Sequence, residues 1–175
     1  MSGYANTVET MLARQDINDV LARYARGVDR ADEALLRSCY HEGAIEEHAN
    51  AYSGPADAYI TDAVKRIRKM GPMAHYLCNT HIELDGDVAW VETYVLTFAR
   101  FEQDGAPYDT LTGGRLCDRF ERRDGEWRIA HRKMTFDWNR DAESAEGWCL
   151  GMFQPDDPRM HMATKDRDDL SYARF

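Results

Sequence analysis

Residues 74–87, "AHYLCNTHIELDGD", carry the side chains best suited to chemistry. The stretch alternates like a strand, and side chains two apart in a strand point the same way. His75, Asn79 and His81 therefore share one face, and Tyr76, Cys78, Thr80, Ile82 and Leu84 form a mostly apolar opposite face. Imidazole changes charge nearest neutral pH. A histidine on a pocket wall is thus a candidate general base, provided a carboxylate fixes its tautomer and stabilises its cation. Glu92, across the hairpin, and Asp29, at the end of the first helical segment, are the carboxylates that could do so.

The neighbouring strand extends this face. With Asp85-Gly86 as a two-residue turn, Asn79 lies opposite Glu92, His81 opposite Trp90, Leu77 opposite Tyr94 and His75 opposite Leu96. One face then holds His75, Asn79, His81, Trp90, Glu92, Tyr94 and Phe98. That mixture is too aromatic for a solvated face and too polar for a core. It fits a ligand pocket or a subunit interface. In the hairpin around Asp124-Gly125, Asp118 falls opposite His131 and Leu116 opposite Lys133. His131 and Lys133 then share a face with Trp127 and Ile129, and Arg132 and Met134 share the other. Either the basic pair lies at the strand's solvated end, or a cation at the pocket wall stabilises developing charge or protonates a leaving group.

The elements that would position these groups are readable from period and punctuation. Apolar residues from Val8 to Val28 recur at helical spacing, Gly27 and Asp32 mark the junction to a short second helix, and Gly43 ends that one. "AIEEHANAY" alternates weakly, as a strand would. Pro55 and Gly71 bracket a third helix that carries Tyr59. The period then becomes two, with strands expected at 75–84, 88–101, 115–123 and 126–137 and a loop over "EQDGAPYDTLTGG". Helices followed by a mostly antiparallel meander predict an α+β domain over 1–137, with a cavity between helices and curved sheet. Residues 138–175 read as a mostly irregular tail that covers the pocket or a subunit interface.

Composition narrows the function classes. A chain of 175 residues with 43% hydrophobic content is expected to form one globular domain. A formal net charge of -9 argues against nucleic acid and anionic membranes as partners. The four cysteines lie far apart, as free thiols in a reducing compartment would. With no secretory start and no membrane-length apolar run, a soluble cytoplasmic protein is expected. Metal-ligand spacings, a phosphate loop, a dinucleotide fingerprint and G-x-S-x-G are all missing from the sequence. His41, Glu46, Glu47 and His48 are close in sequence without forming a metal motif. The expectation is chemistry without metal or cofactor.

"YARGVDRADEALLRSCYHEGA", "HYLCNTHIELDGDVAWVETY" and "TGGRLCDRFERRDGEWRIAHRKM" occur in an order that resembles the SnoaL-like branch of the nuclear transport factor 2-like superfamily. The resemblance covers residues 8–137. It implies a cone-shaped α+β barrel over a deep pocket, assembled as a homodimer or homotrimer. The polar pattern is similar to that of cofactor-independent lyases such as hexachlorocyclohexane dehydrochlorinase, scytalone dehydratase and bile acid dehydratase. By that resemblance His75 is the base, Asp29 orients it, Tyr24 is a pocket tyrosine and Arg132 falls near a pocket arginine. Departures are Tyr76, where many relatives carry a second histidine, and Leu116, where they carry an aromatic residue.

A related lyase removes formaldehyde from lignin-derived diarylpropane diols, and Tyr24, Tyr59, Trp90, Tyr94 and Phe98 would suit two aromatic rings. The implied activity is loss of water or formaldehyde from a hydrophobic hydroxylated aromatic molecule. His75, Asp29, Tyr24 and Lys133 would do the chemistry. Tyr59, Asn79, Trp90, Tyr94, Phe98, His131 and Arg132 would bind the substrate. An isomerase, or a non-catalytic binder or accessory subunit of an aromatic-ring dioxygenase, are the alternatives.

Overall fold

The computed structural model describes residues 6–173. Two helices come first, α1 (Val8–Asp29) and α2 (Glu33–Arg37), then β1 (Tyr40–His48), β2 (Tyr52–Pro55) and α3 (Ala56–Ile67). Four long strands follow: β3 (Met73–Asp85), β4 (Val88–Gln103), β5 (Ala106–Arg123) and β6 (Glu126–Glu143). They form one six-stranded sheet in the order β2-β1-β6-β5-β4-β3. Every pairing is antiparallel except β1 with β6, which is parallel. This is the α+β, nuclear transport factor 2-like cone, with helices over the concave side of a curved, unclosed sheet.

Local chemistry explains the boundaries. Thr7 caps α1, accepting a hydrogen bond from the Thr10 backbone N–H, and Asp32 caps α2 through the Leu35 N–H. The apolar stripe of α1, with Ile17, Val20 and Leu21, packs against Leu116, Phe120, Trp127 and Ile129 of the inner sheet face. The span expected as a loop over residues 102–114 is instead strand: Asp104 and Gly105, both at positive φ, make a tight turn between β4 and β5. Likewise β6 runs on to Glu143, past the expected end at 137.

Irregularities decide which side chains face inward. In β3 the register slips between Leu77 and Thr80, so Cys78 and Asn79 together oppose one residue of β4. Such a bulge reverses the alternation. His75 and Leu77 point inward before it, and Thr80, Ile82 and Leu84 after it. In β6 a second bulge at Ala130 moves Arg132 and Met134 onto the inner side with Trp127 and Ile129. A third is at Asp137 of β6, opposite Gly113-Gly114, where a Cβ on Gly114 would collide with the Thr135 carbonyl oxygen. Only glycine permits that approach.

After β6 the chain returns to the helix ends. The Lys165 ammonium donates to the carbonyls of Ile67, Met70 and Gly71 at 2.9, 3.1 and 2.5 Å, closing the C-terminal end of α3. Asp169 pairs with Arg30 at 3.2 Å, and the Tyr172 hydroxyl donates to Asp32 at 2.8 Å.

Candidate active site

Between α1, α3 and the inner sheet face lies a cavity of about 550 Å³. Its apolar wall includes Ile67, Met70, Met73, Leu116 and Met134, with Phe101 and Phe136 among its aromatic members. Polar groups reach it at few points: Tyr24, His48, Tyr59, Arg66, His75 and three threonines of β4 and β5. An apolar chamber with a few convergent polar groups is the usual form of a small-molecule site.

His75 and Asp29 meet on this wall. The last residue of α1 supplies the carboxylate and the start of β3 supplies the imidazole, 2.7 Å apart from Nδ1 to Oδ1. The second carboxylate oxygen accepts the His75 backbone N–H at 3.0 Å. Both oxygens are thereby committed to one residue, and the carboxylate cannot rotate away. Nδ1 must carry the proton it donates to Asp29, which leaves Nε2 as the basic nitrogen. A carboxylate at a helix C-terminus opposes the helix dipole, so these bonds also compensate its placement. Lys165 adds positive charge nearby; burial lowers its amine below the ordinary value while the Asp29 charge opposes that shift. Directly across the ladder from His75, the Thr97 hydroxyl is buried without a hydrogen-bond partner among the described residues.

A second polar group stands on β1 and α3. His48 Nδ1 lies 3.2 Å from Glu46 Oε1 and 3.1 Å from the Tyr59 hydroxyl, and the His48 and Tyr59 rings stack with centroids 5.2 Å apart. Glu46 is wholly buried, and its other oxygen accepts the Tyr40 hydroxyl at 2.9 Å. Behind this group Arg132 makes a bidentate pair with Asp118, at 2.7 and 2.6 Å, and its guanidinium lies 4.0 Å from the centre of the Tyr24 ring. Burial pushes the Asp118 carboxyl up while Arg132 pulls it back. Burial also raises Tyr24, Tyr40 and Tyr59 well above the ordinary phenol value, which keeps all three protonated as hydrogen-bond donors.

The expected site residues therefore separate. Tyr24, Tyr59 and His75 line the cavity, and Asp29 backs His75. Asn79 does not join them, because the β3 bulge turns it outward, as it does His81. Trp90, Tyr94 and Phe98 follow the outer alternation of β4, whose inner positions are Val91, Thr93, Val95, Thr97 and Ala99; Trp90 is 54% exposed. His131 and Lys133 are also outside, pairing with Glu47 at 2.7 and 3.2 Å, because the Ala130 bulge reverses their expected facing. Arg132 is inside but fully buried beneath Tyr24, so it supports the wall rather than contacting a ligand. Glu92, the other carboxylate considered for His75, pairs with Arg115 at 3.3 Å.

Sequence reasoning missed His48, Glu46 and Thr97. The first two were visible only as a His/Glu cluster on a weakly alternating strand, and period two does place them on one face. Thr97 carried no signal. Among the described residues, no group of three or more His, Cys, Asp or Glu side chains could hold a metal ion, and no helix is long and apolar enough to cross a membrane.

Comparison with known proteins agrees with this architecture. No curated protein matches the chain. Among solved structures, a hexachlorocyclohexane dehydrochlorinase, LinA type 2, superposes with a TM-score of 0.70 at 19% identity, covering 77% of this chain and 92% of that one. LinA type 3 from Novosphingobium barchaimii gives 0.66 at 22% identity, covering 75% and 91%. A protein from Novosphingobium aromaticivorans provisionally described as a scytalone dehydratase gives 0.67 at 19%, covering 77% and 91%. Such identities establish the shared fold. Residues 9–133 match the SnoaL-like domain, and the chain belongs to that family.

Proposed function

We propose that the protein is a cofactor-independent lyase that removes water or formaldehyde from a hydrophobic, hydroxylated aromatic molecule. The observation that carries this reading is the His75–Asp29 pair, with both carboxylate oxygens engaged by His75, on the wall of an apolar and aromatic cavity. Asp29 holds the tautomer and stabilises the imidazolium that forms. His75 Nε2 takes a proton, from carbon in a dehydration or from a terminal hydroxyl in a deformylation. The buried Thr97 hydroxyl faces the same region and is available to position the substrate. Tyr24 and Tyr59, kept protonated by burial, are the phenols at hand for the leaving side, and Lys133 is excluded from that role by its outward position. The dehydratase and dehydrochlorinases named above share the fold and are compatible with eliminations of this kind.

The 2.7 Å contact weighs against a non-catalytic binder, which has no need of a carboxylate-oriented imidazole in its pocket. An isomerase could use the same base, and product mass separates the two. The exposed Tyr76, Trp90 and Tyr94 on the outer sheet face favour a homodimer or homotrimer. Four free cysteines favour the reducing cytoplasm.

The test is a mass-spectrometric screen of purified protein against hydroxylated mono- and diaryl compounds without added cofactor. Loss of the mass of water, of formaldehyde or of both together, absent with His75→Ala, is the expected result. Unchanged product mass moves the reading to an isomerase. A folded His75→Ala protein with normal turnover overturns the assignment of the base.

A further inference from the structure

We propose that His48 is the acid of the reaction, a second catalytic imidazole that protonates the hydroxyl as it departs. The inference rests on the lyase reading and puts His48, rather than the Tyr24 or Tyr59 phenol, on the leaving side. Two imidazole–carboxylate pairs open on one cavity: His75 with Asp29, and His48 with Glu46. Their construction is parallel. In each, Nδ1 is occupied by the carboxylate, and among the described residues Nε2 has no protein partner. Their side chains are similarly secluded, 21% exposed for His48 and 14% for His75.

The two pairs differ in what surrounds the carboxylate, and this difference divides the roles. Glu46 is entirely buried, tied to the Tyr40 hydroxyl, and stands in the field of Arg132 and Asp118. Nδ1 of His48 is shared between that carboxylate and the Tyr59 hydroxyl, and the Tyr59 ring stacks on the imidazole. An imidazolium held this way donates its Nδ1 proton to the Glu46 carboxylate, with the Tyr59 oxygen as a second acceptor, and presents its Nε2 proton to the cavity. A core carboxylate with a histidine at the cavity wall has no packing purpose that an apolar pair would not serve better.

The proton and electron balance closes without a co-reactant. His75 Nε2 takes a proton from the substrate carbon, and the C–H electron pair forms the new C=C bond. The C–O pair leaves with the hydroxyl, which accepts the His48 Nε2 proton and departs as water. In the formaldehyde variant His75 takes the terminal O–H proton, the O–H pair forms the C=O of formaldehyde, and the C–C pair forms the new C=C bond, so formaldehyde and water are both released. The same β-hydroxyl then leaves as water on the His48 proton. Either way the substrate class is an aryl carbinol whose leaving hydroxyl is on the carbon next to the one that loses its C–H or C–C bond. The proton returns from His75 to His48 through solvent between turnovers.

The experiment compares two substrates that differ only in the leaving group, the hydroxyl compound found by the screen and its chloride analogue. Chloride needs no proton to depart. His48→Gln should lower kcat/KM for the hydroxyl compound by about 10²–10⁴-fold, and leave the chloride compound within about fivefold. His75→Ala should impair both. Equal losses on both substrates with His48→Gln, or no loss on either, overturn the proposal. If the wild type turns over neither compound, the lyase reading fails separately, and His48 is judged on the wild-type protein by ring-¹⁵N NMR. Adding 2-naphthol, but not naphthalene, should then shift His48 Nε2; an unmoved Nε2 signal overturns the proposal, and its movement supports a proton-donating contact at that nitrogen.

Discussion

Glu46 and Glu47 are chain neighbours in β1, and each holds a histidine on its own side of the sheet. Glu46 faces inward, where it is fully buried and reaches His48 on the cavity wall. Glu47 faces outward and reaches His131 at 2.7 Å, with Lys133 as a second partner. By distance alone the outer pair is the better one, and it matches the 2.7 Å of His75–Asp29. Its surroundings are unlike theirs. Glu47 is one-third exposed and meets an imidazole and an ammonium in solvent, where salt and water screen the interaction. Hydrogen bonds from His131 and Lys133 hold its carboxyl below the ordinary value, as a surface ion pair would. A histidine–carboxylate contact marks a site only where a cavity gives the free ring nitrogen something to act on.

The largest effect that would sharpen this contrast lies with Asp29. Asp29→Ala removes the group that fixes the His75 tautomer, and turnover should fall by about 10²–10⁴-fold with the urea-unfolding midpoint showing a folded protein. A folded variant with undiminished turnover would put the inner pair on the same footing as the outer one. Next in size is the buried ion pair. Arg132→Met leaves the Asp118 carboxylate buried without its bidentate partner, and should destabilise the fold by about 3–5 kcal/mol, read from urea unfolding. Arg132→Met with Asp118→Leu should recover part of that loss. If the double variant is as unstable as the single, the charge is not what makes the inner side sensitive.

Much of this was legible from the sequence, for reasons that are local. The stripe of α1 and the Asp32 cap of α2 are written in adjacent residues, and the Asp124-Gly125 turn falls where expected, with Arg123 opposite Glu126. The same Asp-Gly signal at Asp104-Gly105 was hidden by Pro107 and the two glycines, which resemble breakers, yet Pro107 pairs with Glu102 and both glycines stay in the ladder, opposite a bulge at Asp137. At Asp85-Gly86 the turn is offset by one residue: Gly86 and Asp87 occupy it, and Asp85 pairs with Val88. The outer placement of Asn79, His131 and Lys133 was not legible, because a bulge is one extra residue whose position is set by packing across the sheet. The Asp29–His75 contact joins residues 46 apart in the chain. Only the family resemblance pointed to it; periodicity could place each residue but not bring them together.

A smaller effect tests a third kind of carboxylate, buried but outside the cavity. Asp169, in the returning tail, is secluded and held by the Ser171 and Thr164 N–H groups, the Ser171 hydroxyl and Arg30. Burial alone would raise its carboxyl, but those bonds prevail and bring it from 3.8 to about 2. Because the folded value is the lower one, its contribution is complete well above pH 3.8 and fades as pH falls toward about 2. Amide exchange at Thr164 and Ser171 should accelerate across that window in the wild type. In Asp169→Asn it should start faster and show less pH dependence. Flat exchange in the wild type would mean that the tail is held by its other contacts.

Glu47→Gln is expected to change least, and for that reason it bears most directly on the contrast within β1. The amide keeps the length and one acceptor oxygen of the carboxylate, so Lys133 loses a charge partner while His131 and Lys133 both keep a neighbour. Both side chains are partly solvated and can take water instead, so nothing is left buried and unsatisfied. Turnover should be unchanged and the melting temperature should move by no more than about 2 °C. Raising salt should narrow even that difference, since screening already weakens the wild-type pair. A tenfold loss of turnover would instead couple the outer face to the cavity through β1. Glu46 and Glu47 would then be two halves of one charge network, and the side of the sheet would no longer predict which glutamate matters.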